Sequence, residues 1–446
     1  MSIVSLQVFR DILYRYQNLI IVIGLIISFS GGSWDITFHI LSQPESFFSY
    51  PHTLVYTGIL IVISIFFINF GKNILNKNQH RKDNFLILMG AVLILAAGPF
   101  DFSWHLKFGL DGLLSPPHVI LLTGWLLVGL GNLRITNNLI SLIRLQTERS
   151  NTSRSADGEE VKYQDQYKNN YENSSTVDNT SNLLDKKGLP LLKIQLVLNL
   201  SIILVILSGF IYFFSLPFSE TQFYNYNPDP LIAFLVYSFG FPFLLSSFFI
   251  RILKNYPDFD EMTLLVGSFY VIIMLLTQIF SNPFLFGYSS YYILNIIPFV
   301  IIYLINKKQV RKTFTRMNAP PSPPSSWDSK AKMKKYVNPK MYVLYALILA
   351  IFSFTICFPL NTYILNEELY GYLVYQNVVV KVYAQIFGDY FFVIMSISIV
   401  AGLLGYGLGM SSGLVKPSKY KINQLRQYFT EHRQGGDKSF FNSKQK

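Results

Sequence analysis

Gly32-Ser33-Trp34-Asp35-Ile36-Thr37-Phe38-His39, followed by Ser49-Tyr50-Pro51-His52 and Thr57-Gly58, returns 66 residues later. The second copy reads Gly98-Pro99-Phe100-Asp101-Phe102-Ser103-Trp104-His105, followed by Ser115-Pro116-Pro117-His118 and Thr123-Gly124. Both have the form D-x3-H-x12-H, with no gap between them. The match extends beyond these side chains: Arg15 aligns with Arg81, Asn18 with Asn84, Gly24 with Gly90, and Glu45 with Asp111. The chain has six histidines, and four of them lie in these two units.

The surroundings make that concentration expensive. Of 446 residues, 51% are hydrophobic and 14% charged, against about 25% charged in a soluble domain. Apolar runs of the length that crosses about 30 Å of hydrocarbon, roughly 20 residues, recur along the chain. Ten are counted, which predicts an all-α, polytopic membrane helical bundle of about ten transmembrane helices. The first run follows a polar start (Arg10, Asp11, Arg15) and is too long for a cleaved signal core.

The expected spans are about 16–40, 51–70, 84–107 and 117–135, then 191–215, 230–252, 261–281 and 286–305, then 341–360 and 388–410. They group into a four-helix unit over 1–145 that carries the duplicated motif, a four-helix unit without ligands over 191–305, and a final pair over 341–410. Within that pair, the tyrosine-rich stretch 363–385 is expected at the outer interface. Residues 146–190 are poor in aliphatic side chains and predict a disordered linker. Residues 306–340 form a basic linker containing Pro320-Pro321-Ser322-Pro323-Pro324, and 411–446 form a basic tail. Helix ten has Gly405 and Gly409 in G-x3-G spacing, expected at a close helix contact. Asn282-Pro283-Phe284 faintly echoes Gly98-Pro99-Phe100.

The net charge of +12 points to topology rather than to nucleic acid. Lys72, Lys77, Arg81 and Lys82 lie in one connection, and 306–340 and the tail are also basic, whereas 33–50, 216–229 and 282–288 contain no Lys or Arg. By the positive-inside rule this is a multi-pass cell-membrane protein with cytoplasmic N- and C-termini and the D-x3-H-x12-H units at the outer face. The expected partner is the lipid bilayer, with no nucleic acid. The one cysteine, Cys357, excludes a disulfide or thiolate metal site within the chain.

Each repeat unit is two helices and an outer connection, so both copies keep one orientation. This is a parallel two-helix repeat, related by a pseudo-twofold axis along the membrane normal. Residues four apart on a helix share a face, so Asp35 and His39 point to one place, as do Asp101 and His105. Pro51 and Pro117 suit a first helical turn, which puts His52 and His118 at the outer ends of helices two and four. Each unit thus offers a carboxylate and two imidazoles with coordination positions left open, a set suited to copper, zinc, iron or nickel, the carboxylate shifting the balance slightly away from Cu(I). The metal-ligand candidates are Asp35, His39, His52, Asp101, His105 and His118. Glu45 and Asp111 are nearby acids able to serve as fourth ligands or to orient the histidines.

D-x3-H-x12-H on consecutive membrane helices resembles the copper site in a membrane subunit of particulate methane monooxygenase and ammonia monooxygenase. Asp35, His39 and His52 match the family's Asp-His-His pattern, and Asp101, His105 and His118 repeat it. The second unit stands where that family has a second cluster, with Asp101 in place of asparagine. The resemblance covers about residues 16–135. It implies copper as cofactor, copper-dependent oxidation or copper handling as activity, and companion membrane subunits as partners.

Two other functions fit the same residues. A zinc-dependent intramembrane hydrolase would use the metal with a general base, and Ser33 and Ser103 lie close by in sequence but are not equivalent in the repeat. A transporter or metal-uptake protein would need polar residues deep in several helices, and Asp389 is the main candidate in the last one.

Overall fold

The computed structural model describes residues 3–40, 46–75, 81–109, 114–156, 188–215, 230–256, 261–281, 290–317, 339–353, 355 and 378–411. Among them are ten α-helices and no strand. They are α1 (Ile3–Ile40), α2 (Tyr50–Leu75), α3 (Arg81–Phe108), α4 (Pro116–Ala156), α5 (Gly188–Ser215), α6 (Pro230–Asn255), α7 (Met262–Ser281), α8 (Ile297–Met317), α9 (Pro339–Phe352) and α10 (Val378–Ser411). A 3-10 segment, Ser290–Ile296, leads into α8.

Seven of the described helices, α1 to α6 and α10, are long and apolar enough to cross a membrane. In hydrocarbon no water satisfies backbone N–H and C=O groups, so a crossing segment closes its own hydrogen bonds as a helix. α7 and α9 contribute shorter apolar stretches, Met262–Thr277 and Lys340–Phe352. Large apolar side chains on the outward faces of α3 and α10, among them Phe85, Val92, Phe392, Val393 and Leu404, are exposed as lipid contact requires.

Four helices outrun the sequence-based spans by ten residues or more: α1 begins at Ile3 and α10 at Val378, α4 continues to Ala156, and α8 continues to Met317, into the stretch expected as basic linker from residue 306. α4 therefore enters what was expected to be linker from residue 146. The sequence after Asn138 (Leu-Ile-Ser-Leu-Ile-Arg-Leu-Gln-Thr-Glu-Arg) is made mostly of residues that lose little freedom in a helix. Extending a formed helix needs no new nucleus. Cys357, Asn282–Phe284, residues 157–187 and the tail after Ser411 lie outside the described residues.

The repeat is visible in the packing. A Cβ on Gly24 would lie 2.8 Å from the Gly58 carbonyl oxygen, and one on Gly58 would lie 2.4 Å from that of Gly24. The equivalent pair behaves alike: Cβ atoms on Gly90 and Gly124 would meet the opposite carbonyl at 2.5 and 2.8 Å. α1 therefore crosses α2, and α3 crosses α4, at the same glycine pair, where missing side chains let backbones touch. The helix starts also repeat. Thr53 N–H donates to the Ser49 carbonyl at 2.9 Å and Val119 N–H to that of Ser115 at 3.0 Å, which opens α2 and α4 at equivalent residues.

The two hairpins pack side by side, α2 against α3 and α1 against α4. This pair of hairpins leans on the rest of the bundle through α4 on α5 and α1 on α7. Elsewhere α10 lies along α6, where Cβ atoms on Gly405 and Gly409 would come within 2.5 Å of the Phe243 carbonyl and 2.9 Å of the Ser247 carbonyl. The G-x3-G spacing marks the close contact expected of it.

Candidate metal centre

The acids and histidines gather at the end of α1–α4 where α1 turns into α2 and α3 into α4. Lys72, Arg81 and Lys82 lie at the far end of the same helices. Asp35 ends the apolar part of α1, and Asp101 and His105 share a face of α3 one turn apart. His52 and His118 sit in the first turns of α2 and α4, just inside the Ser49 and Ser115 starts. Asp35, His52, Asp101, His105 and His118 are each more than nine-tenths buried. The side chain of His39 lies outside the described residues, as do Glu45 and Asp111.

In the second unit, Nε2 of His105 lies 3.4 Å, and Nε2 of His118 3.3 Å, from Oδ1 of Asp101. In the first, Nε2 of His52 lies 3.1 Å from Oδ1 of Asp35. The two units do not stand apart. Asp35, His52 and Asp101 present ligand atoms within 4.8 Å of one another, and so do Asp101, His105 and His118. Asp101 belongs to both groups, and the first of them draws its ligands from both repeats. Sequence spacing had suggested one converging point per hairpin; the fold brings the first carboxylate–imidazole pair onto the second repeat's carboxylate as well.

A first-row ion about 2.1 Å from each donor holds donors no more than about 4.2 Å apart. Three donors around one such ion stand about 3.4–3.6 Å apart, so the longest separations in either group would have to close by roughly an ångström. Charge argues the same way. Two carboxylates this close and this buried repel each other and have lost most of their hydration. Among the described residues, no Lys or Arg lines the space beside them. A bound cation would balance them.

His105 is oriented from outside the cluster. With its proton on Nδ1 it donates to the Gly109 carbonyl at 3.1 Å, which turns a bare Nε2 toward Asp101. Gly109 has φ 75° and its N–H donates to the His105 carbonyl at 2.9 Å, so it ends α3 in the left-handed conformation that favours glycine. Sequence reasoning passed over this residue, although a glycine four places after a histidine at a helix end is a usable signal.

A cavity of about 30 Å³ opens beside Asp35, His52, Asp101 and His118, walled by Val55, Ile94, Ala97 and Leu121. A water needs about 10–15 Å³, so the space suits one or two small occupants. Tyr56 also reaches into it. Sequence reasoning missed Tyr56 as well, although it stands four residues after His52 on the same helix face.

Neither serine of the hydrolase reading is among the described residues that line the cavity. The Ser103 hydroxyl is exposed and donates to the Pro99 carbonyl of its own helix at 2.7 Å. Polar residues also occur deep in the bundle. Asn132 Nδ2 donates to the Asn18 carbonyl at 3.0 Å, joining α4 to α1, and the Thr136 hydroxyl donates to the Asn132 carbonyl at 3.0 Å. Asn18 is seventeen residues before Asp35, about 25 Å along the helix. Buried Ile21, Leu25, Leu122 and Val128 occupy the space between. These amides tie helices together and do not continue the acid–histidine cluster. Asp389 is exposed.

No protein family, curated protein or solved structure matches this chain, so its own geometry carries the functional reading.

Proposed function

We propose that this membrane protein holds copper in one centre shared by its two repeats, at the outer face, with both termini in the cytoplasm. The place of Asp101 in both ligand groups supports this most directly. A carboxylate buried beside a second carboxylate and three imidazoles is a costly arrangement for a lipid-embedded bundle, and a bound cation removes the cost. Imidazole-rich sets with an oxygen donor suit copper, in keeping with the resemblance to the copper site of the membrane monooxygenases. The chain's own residues hold and orient the metal in two adjoining donor sets, Asp35, His52 and Asp101 in one and Asp101, His105 and His118 in the other, with the Gly109 carbonyl fixing His105. Copper in such a site supplies one-electron and oxygen chemistry, or is itself the cargo.

The test is metal content per chain in detergent-purified protein, wild type beside Asp101→Asn and His118→Ala. Copper near stoichiometric amounts, lowered by both substitutions, is expected. Metal unchanged in both variants would refute the ligand assignment, and zinc in place of copper would turn the reading to hydrolysis.

A further inference from the structure

Tyr56 is the one phenol at this centre among the described residues, and it does not belong to the repeat. Its equivalent in the second unit is Leu122, an apolar side chain 1% exposed. The Tyr56 oxygen is buried without a hydrogen-bond partner among the described residues, a position in which a tyrosine hydroxyl ordinarily finds one. The ring stands one helical turn after His52, with centroids 6.4 Å apart, and Phe47 covers it at 5.5 Å.

The opposite repeat is cut back to receive it. A Cβ on Gly98 would lie 2.2 Å from the Tyr56 hydroxyl oxygen, so α3 admits this group only because residue 98 lacks a side chain. The matching glycine, Gly32, makes room for the Trp125 ring instead, and the Trp125 indole N–H is satisfied by Ser28. One notch therefore holds a partnered indole, and the other a phenol without a partner, in the cavity that Asp35, His52 and Asp101 line.

We propose that the Tyr56 oxygen is a further ligand of the ion held by Asp35, His52 and Asp101. The proposal rests on the metal reading above. It raises that group from three described donors to four, enough for the four-coordinate tetragonal shell that cupric ion favours, while the Asp101–His105–His118 group keeps an open position. On binding, the phenol O–H breaks, its proton leaves to bulk water, and the oxygen lone pair goes to the ion. The metal's oxidation state does not change. The two repeats would then be chemically different despite their common spacing, with the first retaining its ion and the second open to exchange.

The experiment adds cupric ion to the full-length protein in detergent. Visible absorption, resonance Raman and copper per chain are then read. Wild type should show a tyrosinate-to-copper charge-transfer band with ring modes in the Raman spectrum. Tyr56→Phe should lose both, measured per copper bound, and hold less copper per chain. Gly98→Ala, which leaves the phenol in the chain but takes its space, should weaken the band. Copper bound by wild type without the band, or a band unchanged in Tyr56→Phe, overturns the phenol assignment alone. A wild type that binds no copper overturns the metal reading and this inference with it.

Discussion

Trp125 donates its indole N–H to the Ser28 hydroxyl oxygen at 2.8 Å, a buried bond between α4 and α1 across 97 residues of chain. It fixes how the two hairpins meet. The far edge of the same ring fills the space over Gly32, where a Cβ would come within 2.4 Å of it. Gly32 is three residues before Asp35, so this contact sets how far the first repeat's carboxylate approaches the second repeat.

Gly32→Ala would therefore push Trp125 back and part α1 from α4. Overpacking of this kind costs about 1–3 kcal/mol. A lower Tm in detergent, together with reduced copper binding, is the expected result. Trp125→Phe keeps most of the ring but drops the bond to Ser28, for a loss of about 1 kcal/mol or somewhat more. Thermal unfolding of both variants beside wild type measures these effects.

The paired glycine crossings predict matched responses. Alanine at Gly58 and alanine at Gly90 each place a methyl within 2.5 Å of a facing carbonyl. Both should lower the Tm by similar amounts. Gly407, with nothing within 4 Å, is the control and should tolerate alanine. A large difference between the Gly58 and Gly90 variants would show that the two hairpins do not share their packing.

Asp101→Asn separates the charge argument from the ligand argument. Removing one of two neighbouring buried carboxylates relieves repulsion in the metal-free protein but also weakens the contacts of Asp101 with the His105 and His118 imidazoles, so its Tm should move little. The stabilisation that added copper confers on wild type should then shrink sharply. Equal copper-induced shifts in Tm for variant and wild type would dismiss Asp101 as the shared donor.

Gly109→Ala tests the orientation of His105. Forcing a residue with a side chain into φ 75° costs about 1–2 kcal/mol. Displacing the carbonyl that holds Nδ1 should weaken copper binding by roughly tenfold or more, the usual scale for a lost orienting partner. Competitive titration with a copper chelator reads the affinity. Affinity equal to wild type would mean that His105 needs no such support.

Much of this was legible in the amino-acid order because it depends on one dimension. Hydrocarbon thickness fixes the length of an apolar run, and backbone hydrogen bonding in lipid makes that run a helix, so the membrane bundle needed no coordinates. The N-terminal starts at Ser49 and Ser115, the Asp101–His105 face and the glycines at 24, 58, 90 and 124 are equally local, or are copied by the repeat. The end of α4 was misjudged because helix continuation is cooperative and composition alone does not mark where it stops. What no spacing could tell is that Asp101 would join Asp35 and His52, or that Gly98 would leave space for Tyr56. Those distances separate residues on different helices, and only the crossing of packed side chains sets them. The repeat supplied two similar sets of side chains, and it was the seam between the folded hairpins that merged them into a single, unequal centre.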